Sequence, residues 1–247
     1  ERNVFGQVNA ITNITHEEMV SFKTRHYIPQ KTVISIAGNF DQDDVLNTIE
    51  KTFGRIPAPH YTEANYNTTV AAVAKEPLYE VRKGMGQVYM AQILKAADRF
   101  CGEEYYSLRL LETAIGRTMY CRMFKELREK RGIGYDSCSM YQAHPENCII
   151  FWVGGIDPNR LGEARDVLDQ IINDIVKNGL PKEEIEGVRN KALSLLQDRL
   201  ENLDDVTIDL FRKGMYGFPC SILGEEEGYK SISVETLTKA ANKYLTQ

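Results

Sequence analysis

The sequence has few of the residues that form metal sites, disulfide frameworks and membrane spans. Its five cysteines are an odd number and contain no Cys-x-x-Cys pair, so neither a disulfide framework nor a structural zinc site is predicted. None of the four histidines belongs to His-Glu-x-x-His or His-x-x-Glu-His, which excludes a helix-borne zinc site from these residues. No window approaches the roughly 18 apolar residues of a membrane span. Reduced thiols favour a cytoplasmic location.

The motifs of nucleotide binding and nucleophilic catalysis are also absent. The chain contains no Gly-x-Ser-x-Gly elbow, no Walker-type loop and no Gly-x-Gly-x-x-Gly after a strand. With 30 basic and 35 acidic residues its net charge is −5, which argues against nucleic-acid binding. The residues taken alone therefore predict no self-contained catalytic constellation.

The composition and periodicity are those of a globular α+β protein. Hydrophobic residues make up 43% and charged residues 26% of the 247, which is enough for one large or two modest domains. The pattern predicts antiparallel-style strands covered by helices on one face. Strands are predicted at 32–38, 78–83, 87–97, 135–141 and 148–153. Helices are predicted at 14–27, 41–53, 157–179, 204–213 and 233–244. Three more helices are predicted with one boundary each: one starts at 103, one ends at 131 and one starts at 181.

Parts of two related units, joined by a linker, are expected. Residues 58–76 have no convincing period and are predicted to link a first domain, 1–57, to a second, 77–247. The stretch 14–27 is echoed at 232–244. A strand and a helix follow the first copy, whereas the chain ends soon after the second. We therefore expect a fragment cut across two units, with the second unit truncated at its C-terminus.

A basic helix end at 122–131 is the most distinctive stretch. It holds five basic side chains against two acidic ones, an excess of three positive charges on an acidic chain. Gly132 is placed to cap the helix, after which the period becomes that of a strand. Arg128 and Tyr135 are thereby expected to converge, and together they would donate well to a carbonyl oxygen or an oxyanion. The alternative is a solvated helix end beside a packed tyrosine.

The segment 127–135, Leu-Arg-Glu-Lys-Arg-Gly-Ile-Gly-Tyr, resembles the Leu-Arg-Glu-Lys-Arg-Gly-Leu-Ala-Tyr segment of the pitrilysin/insulinase family of zinc metallopeptidases, which includes the mitochondrial processing peptidase. Residues 22–38, with Phe-x-x-x-x-Tyr-x-Pro and then Val-Ile-Ser-Ile-Ala-Gly, resemble the end of that family's first repeat. The Pro-x-Glu-Glu-Ile-Glu-x-Val stretch from Pro181 resembles a helix start in the second. At 120–124 the family's small-Ser-Ser-Arg-Leu-Phe is replaced by Tyr-Cys-Arg-Met-Phe, which leaves the substrate preference open.

The resemblance implies tandem two-layer α/β sandwich repeats, with mostly antiparallel sheets, that enclose a chamber. In the family, the first repeat carries His-x-x-Glu-His and binds zinc, while the second binds no metal and supplies an Arg and a Tyr seven residues apart. Arg128 and Tyr135 match that pair. By resemblance they bind substrate carbonyls and stabilise the oxyanion opposite zinc. The chain is then expected to hold no metal or cofactor, with zinc bound in a part that precedes Glu1.

Two functions follow from the resemblance. In the first, the chain is the substrate-binding C-terminal part of a zinc endopeptidase, and its partners are a peptide substrate and the zinc-bearing repeat. In the second, it is a non-catalytic family subunit that binds a separate zinc-bearing chain, and the sequence upstream distinguishes the two. A third interpretation is an unrelated α+β interaction domain. A homodimer that covers the sheet edge left unpaired after Gln247 is a further expectation.

Overall fold

The computed structural model describes residues 5–60, 84, 86–95, 102–134, 136–143, 148–217 and 222–246. The chain forms two compact units, Glu1–Asn67 and Thr68–Gln247. Most of the linker predicted at 58–76, and the whole strand predicted at 78–83, lie outside the described residues. The predicted domain boundaries and that strand therefore stay predictions.

In its described residues the first unit contains three short α-helices, and the second and third of them start at side-chain caps. They are α1 (Val8–Asn13), α2 (His16–His26) and α3 (Gln42–Thr52). The Thr15 hydroxyl accepts from the backbone N–H of Glu18 at 3.2 Å, and the Glu18 carboxylate accepts from the backbone N–H of Thr15 at 2.9 Å. This capping box was predicted and is confirmed. Asp41 accepts from the backbone N–H of Asp44 at 3.0 Å and caps α3, also as predicted.

The strand predicted at 32–38 is not formed, and this prediction was wrong. Residues 32–37 lie outside every strand ladder of the described chain. Ile34 and Ile36 are each 40% exposed, so the expected burial is missing as well. A β-branched run favours a pleated surface, but a strand forms only where a neighbour supplies its hydrogen bonds. No segment of the described residues supplies them to this stretch.

The second unit is built on an antiparallel sheet in the order β1-β3-β2. Its described strands are β1 (Val88–Lys95), β2 (Cys138–Ala143) and β3 (Cys148–Ile156). The central strand β3 pairs with both neighbours, and Ile150 stands opposite Leu94 in β1 and Tyr141 in β2. Ile150 is 1% exposed. The central position predicted for this apolar strand is confirmed.

The helices of the second unit follow the predicted order closely. Those in the described residues are α4 (Glu103–Glu112), α5 (Leu161–Asn178), α6 (Lys182–Glu201), α7 (Leu203–Tyr216), α8 (Glu225–Ser231) and α9 (Val234–Tyr244). Two further segments, Thr113–Arg117 and Phe124–Glu129, are wound as π-helix. Helix α8 and both π segments were not predicted. None of the helices in the described part of the chain is long and apolar enough to cross a membrane.

Helices cover one face of the sheet. Trp152 and Tyr141 on this face are buried, and the neighbouring Ser139 donates at 2.7 Å to the backbone carbonyl of Glu112 in α4. On the opposite face Tyr89 is 64% exposed. The inward stripe predicted for α5 is buried too, and each Leu or Ile in it stabilises the fold by about 1.5–3 kcal/mol. The predicted α+β arrangement, an antiparallel sheet with helices on one face, is confirmed.

Candidate functional site

The candidate site lies at the end of the helical segment 122–129, whose inward side chains anchor it in the core. Met123 is 1% exposed and Leu127 is 0% exposed, as their helical spacing predicted. From Phe124 to Glu129 the backbone is π-wound, and the N–H of Lys130 donates to the carbonyl of Lys125 at 3.0 Å, five residues back. π-Helical turns are rare and occur frequently at functional sites.

Gly132 ends the helix in the left-handed conformation, which confirms the prediction that it caps the helix. Its φ is 63°, which an L side chain adopts only with strain. The N–H of Gly132 donates to the carbonyl of Arg128 at 3.0 Å, and the N–H of Ile133 donates to the carbonyl of Leu127 at 2.8 Å. These bonds resemble a Schellman cap, but each spans one residue more because the helix end is π-wound. The cap turns the chain sharply just after Arg128.

Arg128 borders an open cleft of about 460 Å³ in the second unit. Its guanidinium carbon lies 5.0 Å from the centre of the Phe124 ring, a distance at which a cation is attracted to the aromatic face. Much of the cleft wall is glycine backbone. The lining residues are Gly86, Gln87, Arg128, Gly132, Ile133, Gly134, Gly155, Asp157, Pro158 and Asn159.

Tyr135 lies outside the described residues, so its predicted convergence with Arg128 stays a prediction. Its neighbour Gly134 forms an antiparallel bridge with Ile156 at the end of β3. The adjoining strand was predicted to start at residue 135, but β2 starts only at Cys138. From there the predicted alternation is confirmed, because Ser139 is buried and Met140 is 41% exposed.

The predicted local excess of positive charge is largely offset by carboxylates from elsewhere in the second unit. Arg122 contacts Asp174 in α5 at 2.6 Å and Glu184 in α6 at 2.8 Å. The hydrogen bonds that Arg122 donates to the Glu184 carboxylate raise the pKa of Arg122 despite its partial burial. The predicted excess of positive charge was counted within 122–131 only, so it did not include these two carboxylates. The site is therefore less basic than the run of residues indicated.

Glu126 holds two more of the cations in that run. Its carboxylate contacts Lys130 at 2.5 Å and Arg131 at 2.6 Å. Hydrogen bonds from Lys130 and Arg131 lower the pKa of Glu126 below its usual value. Both cations are thus directed at the helix end itself, whereas the guanidinium of Arg128 lies along the Phe124 ring and borders the cleft.

Several residues of the cleft were not recognised as site residues in the sequence. Gly86 was interpreted as a turn and Asp157 as a helix cap, and Asp157 does accept from the backbone N–H of Asn159 at 2.9 Å. They reach the cleft because β1 and β3 pair antiparallel, so that the start of one lies beside the end of the other. To find them from the sequence, one would have to predict correctly that β1 pairs with β3, although these strands lie far apart in the sequence.

The described residues contain no group of three or more His, Cys, Asp and Glu side chains that could hold a metal ion. What the cleft offers is an arginine, whose guanidinium carries several N–H donors, beside the exposed glycines Gly86 and Gly132. That arrangement suits an oxygen-rich, extended ligand such as a peptide main chain.

Comparison with known proteins assigns the chain to a family. The model of the family described as "Peptidase M16 inactive domain" matches residues 13–192. The chain belongs to the peptidase M16 family. Within that family the match is to the inactive domain, and the predicted relationship to pitrilysin/insulinase-type metallopeptidases is confirmed.

Relatives and solved structures agree with this assignment. An uncharacterized zinc protease of Mycobacterium tuberculosis is 24% identical over 251 residues, covering 100% of this chain and 56% of the relative. The structure of a peptidase M16 inactive domain from Pseudomonas fluorescens has a TM-score of 0.78 at 18% identity, covering 97% of this chain and 56% of that one. A protease from Helicobacter pylori has a TM-score of 0.79 at 16% identity, covering 97% and 58%. The chain spans about half the length of the curated relatives it matches.

Proposed function

We propose that this chain is the substrate-binding, zinc-free part of a zinc endopeptidase and that the Arg128 cleft holds a peptide substrate. The observation that carries the proposal is the position of Arg128, at the edge of a cleft in which four of the ten described lining residues are glycines. A glycine wall lets another main chain approach closely, and a guanidinium can donate two parallel N–H bonds to its oxygens. The relatives named zinc proteases support the same function.

Each group has a defined role in this proposal. Arg128 binds a main-chain carbonyl of the peptide and fixes its register in the cleft. Tyr135, by its resemblance to the family pair, donates its phenol O–H to the oxyanion that forms as the peptide bond is attacked. Residues outside this chain, in the same or another polypeptide, would hold zinc, which would supply Lewis-acid chemistry to the attacking water and the scissile carbonyl.

The test uses the longer natural gene product and a peptide substrate whose cleavage is followed by mass spectrometry. Arg128→Ala and Tyr135→Phe should each lower kcat by about 10²–10³, as the loss of an oxyanion or carbonyl donor does. Lys125→Ala is the matched control, because Lys125 is exposed on the same helical segment and does not line the cleft. It should leave kcat unchanged.

Two results would reject the proposal. Unchanged kcat in both cleft variants would remove the assigned roles even if the protein is a peptidase. A longer gene product that has no His-x-x-Glu-His, binds no zinc and cleaves nothing would instead favour the non-catalytic subunit. Co-purification of a separate zinc-bearing chain would then identify its partner.

A further inference from the structure

A second, much smaller pocket in the second unit is lined by three arginines. Arg109 comes from α4, Arg117 from the π segment Thr113–Arg117, and Arg199 from α6. The pocket volume is about 10 Å³, room for about one water-sized particle. It shares no lining residue with the Arg128 cleft. The remaining lining residues are Thr113, Ala192, Leu195, Leu196 and Tyr229, so the described lining contains three cations and no carboxylate.

The carboxylates that contact these arginines are buried and do not belong to the described lining of the pocket. Glu112, 0% exposed, accepts from Arg109 at 3.2 Å and from Arg117 at 3.1 Å. Glu225, 6% exposed, accepts from Arg199 at 2.9 Å. Three guanidinium groups thus face two buried carboxylates, which leaves one positive charge in excess. The side chains of Arg109, Arg117 and Arg199 are only 15%, 30% and 25% exposed, so water compensates this excess incompletely.

Arg109 and Arg199 stay charged in this setting. Burial opposes the charged form of Arg109, but the Glu112 carboxylate outweighs it, so the pKa of Arg109 lies above its usual value. Burial and the nearby Arg109 both oppose the charged form of Arg199, and Glu225 outweighs them, so the pKa of Arg199 is also raised. Arg109 and Arg199 are therefore close enough to repel one another across the pocket.

We propose that this pocket binds a single monatomic anion of the chloride class, held by Arg109, Arg117 and Arg199. Each guanidinium directs one terminal nitrogen, Nη1, at a carboxylate, and a guanidinium carries five N–H donors in all. A single monatomic ion matches a pocket with room for about one water-sized particle better than the larger phosphate or sulfate does. The anion neutralises the excess charge and ties α4 to α6.

The first experiment locates the ion. Crystals of the chain grown in chloride are soaked in sodium bromide, and anomalous diffraction is collected at the bromine edge. The expected result is an anomalous peak within hydrogen-bonding distance, about 3.3 Å, of guanidinium nitrogens in this pocket, allowing for the larger radius of bromide. Peaks confined to the surface, with water in the pocket, would overturn the proposal.

The second experiment measures binding in solution through the melting temperature, followed by the fluorescence of Trp152. Sodium chloride is compared with sodium gluconate at equal ionic strength. Chloride at ten times its Kd should raise the Tm by about 3–6 °C over gluconate. Arg117→Gln should abolish this difference and Arg117→Lys should retain part of it. Arg165→Gln, at an arginine whose side chain is 67% exposed on α5, should retain all of it.

The outcomes separate a site from an accident of crystallisation. An equal Tm in the two salts, or a chloride effect that survives in Arg117→Gln, would overturn the proposal. A bromide peak without any solution effect would mean an adventitious ion only. If Arg117→Gln fails to fold, the test uses Arg117→Lys instead. An undiminished chloride effect on the Tm of Arg117→Lys, together with no anomalous peak in the pocket, would overturn the proposal. None of these results depends on peptidase activity, so they are independent of the proposed function.

Discussion

Gly116→Ala should destabilise the second unit, because the sheet passes directly against this glycine. A Cβ added at Gly116 would lie 2.6 Å from the backbone nitrogen of Ser139 and 2.7 Å from the sulfur of Met123. The thioether can move aside, but the nitrogen belongs to β2 and moves only with the strand. Overpacking of this kind costs about 1–3 kcal/mol. With a urea slope of about 2 kcal/mol per molar, the unfolding midpoint should fall by about 0.5–1.5 M.

The assay is a urea titration followed by the fluorescence of Trp152, the sole tryptophan of the chain, which is 1% exposed and stands opposite Ser139 in the sheet. Gly187→Ala is the matched control. Gly187 lies inside α6, and an added Cβ there meets nothing within 4 Å. Because alanine is more favourable than glycine inside a helix, this control should raise the unfolding midpoint by about 0.25–0.5 M. A midpoint for Gly116→Ala equal to or above the wild-type value would refute the close approach.

Two further predictions concern buried and paired carboxylates. Glu112→Gln should lower the free energy of unfolding by about 3–5 kcal/mol, because it leaves Arg109 and Arg117 without their buried counterion. The control is Glu235→Gln, at a side chain that is 77% exposed, and it should change this free energy by less than about 0.5 kcal/mol. Equal effects of the two in the same urea titration would contradict the buried ion pair. Glu126 has a depressed pKa, so its stabilisation is present above the unfolded-state value of about 4.3 and is lost as the pH falls through the lower folded-state value. The stability difference between wild type and Glu126→Gln should therefore shrink below about pH 4, and a difference that grows there would contradict this sign.

The features predicted correctly from the sequence are those determined by a few neighbouring residues. The capping box at Thr15, the cap at Asp41 and the helix-ending Gly132 are each local, and each is confirmed. The central strand at 148–156 was recognisable because it is apolar on both faces. Local chemistry therefore gave the order of the elements and placed Arg128 at the end of a helix.

The features that failed depend on partners distant in sequence. The run at 32–38 has strand composition, but no described segment pairs with it. The charge of the basic helix end changes once Glu184, 62 residues from Arg122, comes into contact with it. Glu225 in α8 is one of three glutamates in a row, and its side chain is 6% exposed and paired with Arg199. Nothing in the local pattern distinguishes such a residue from its solvated neighbours.

The π-wound helix end at Phe124–Glu129 affects how well this segment tolerates insertions and deletions. A π-turn holds one residue more than an α-turn, so it is equivalent to a single-residue insertion absorbed without shifting the chain on either side. Deleting Lys125 would therefore restore an ordinary α-helix while Met123 stays in the core and Arg128 stays at the cleft. The same deletion in a plain α-helix such as α6 would turn one flank by about 100° relative to the other. Single-residue gaps should therefore be tolerated better at Phe124–Glu129 than inside the α-helices of the unit.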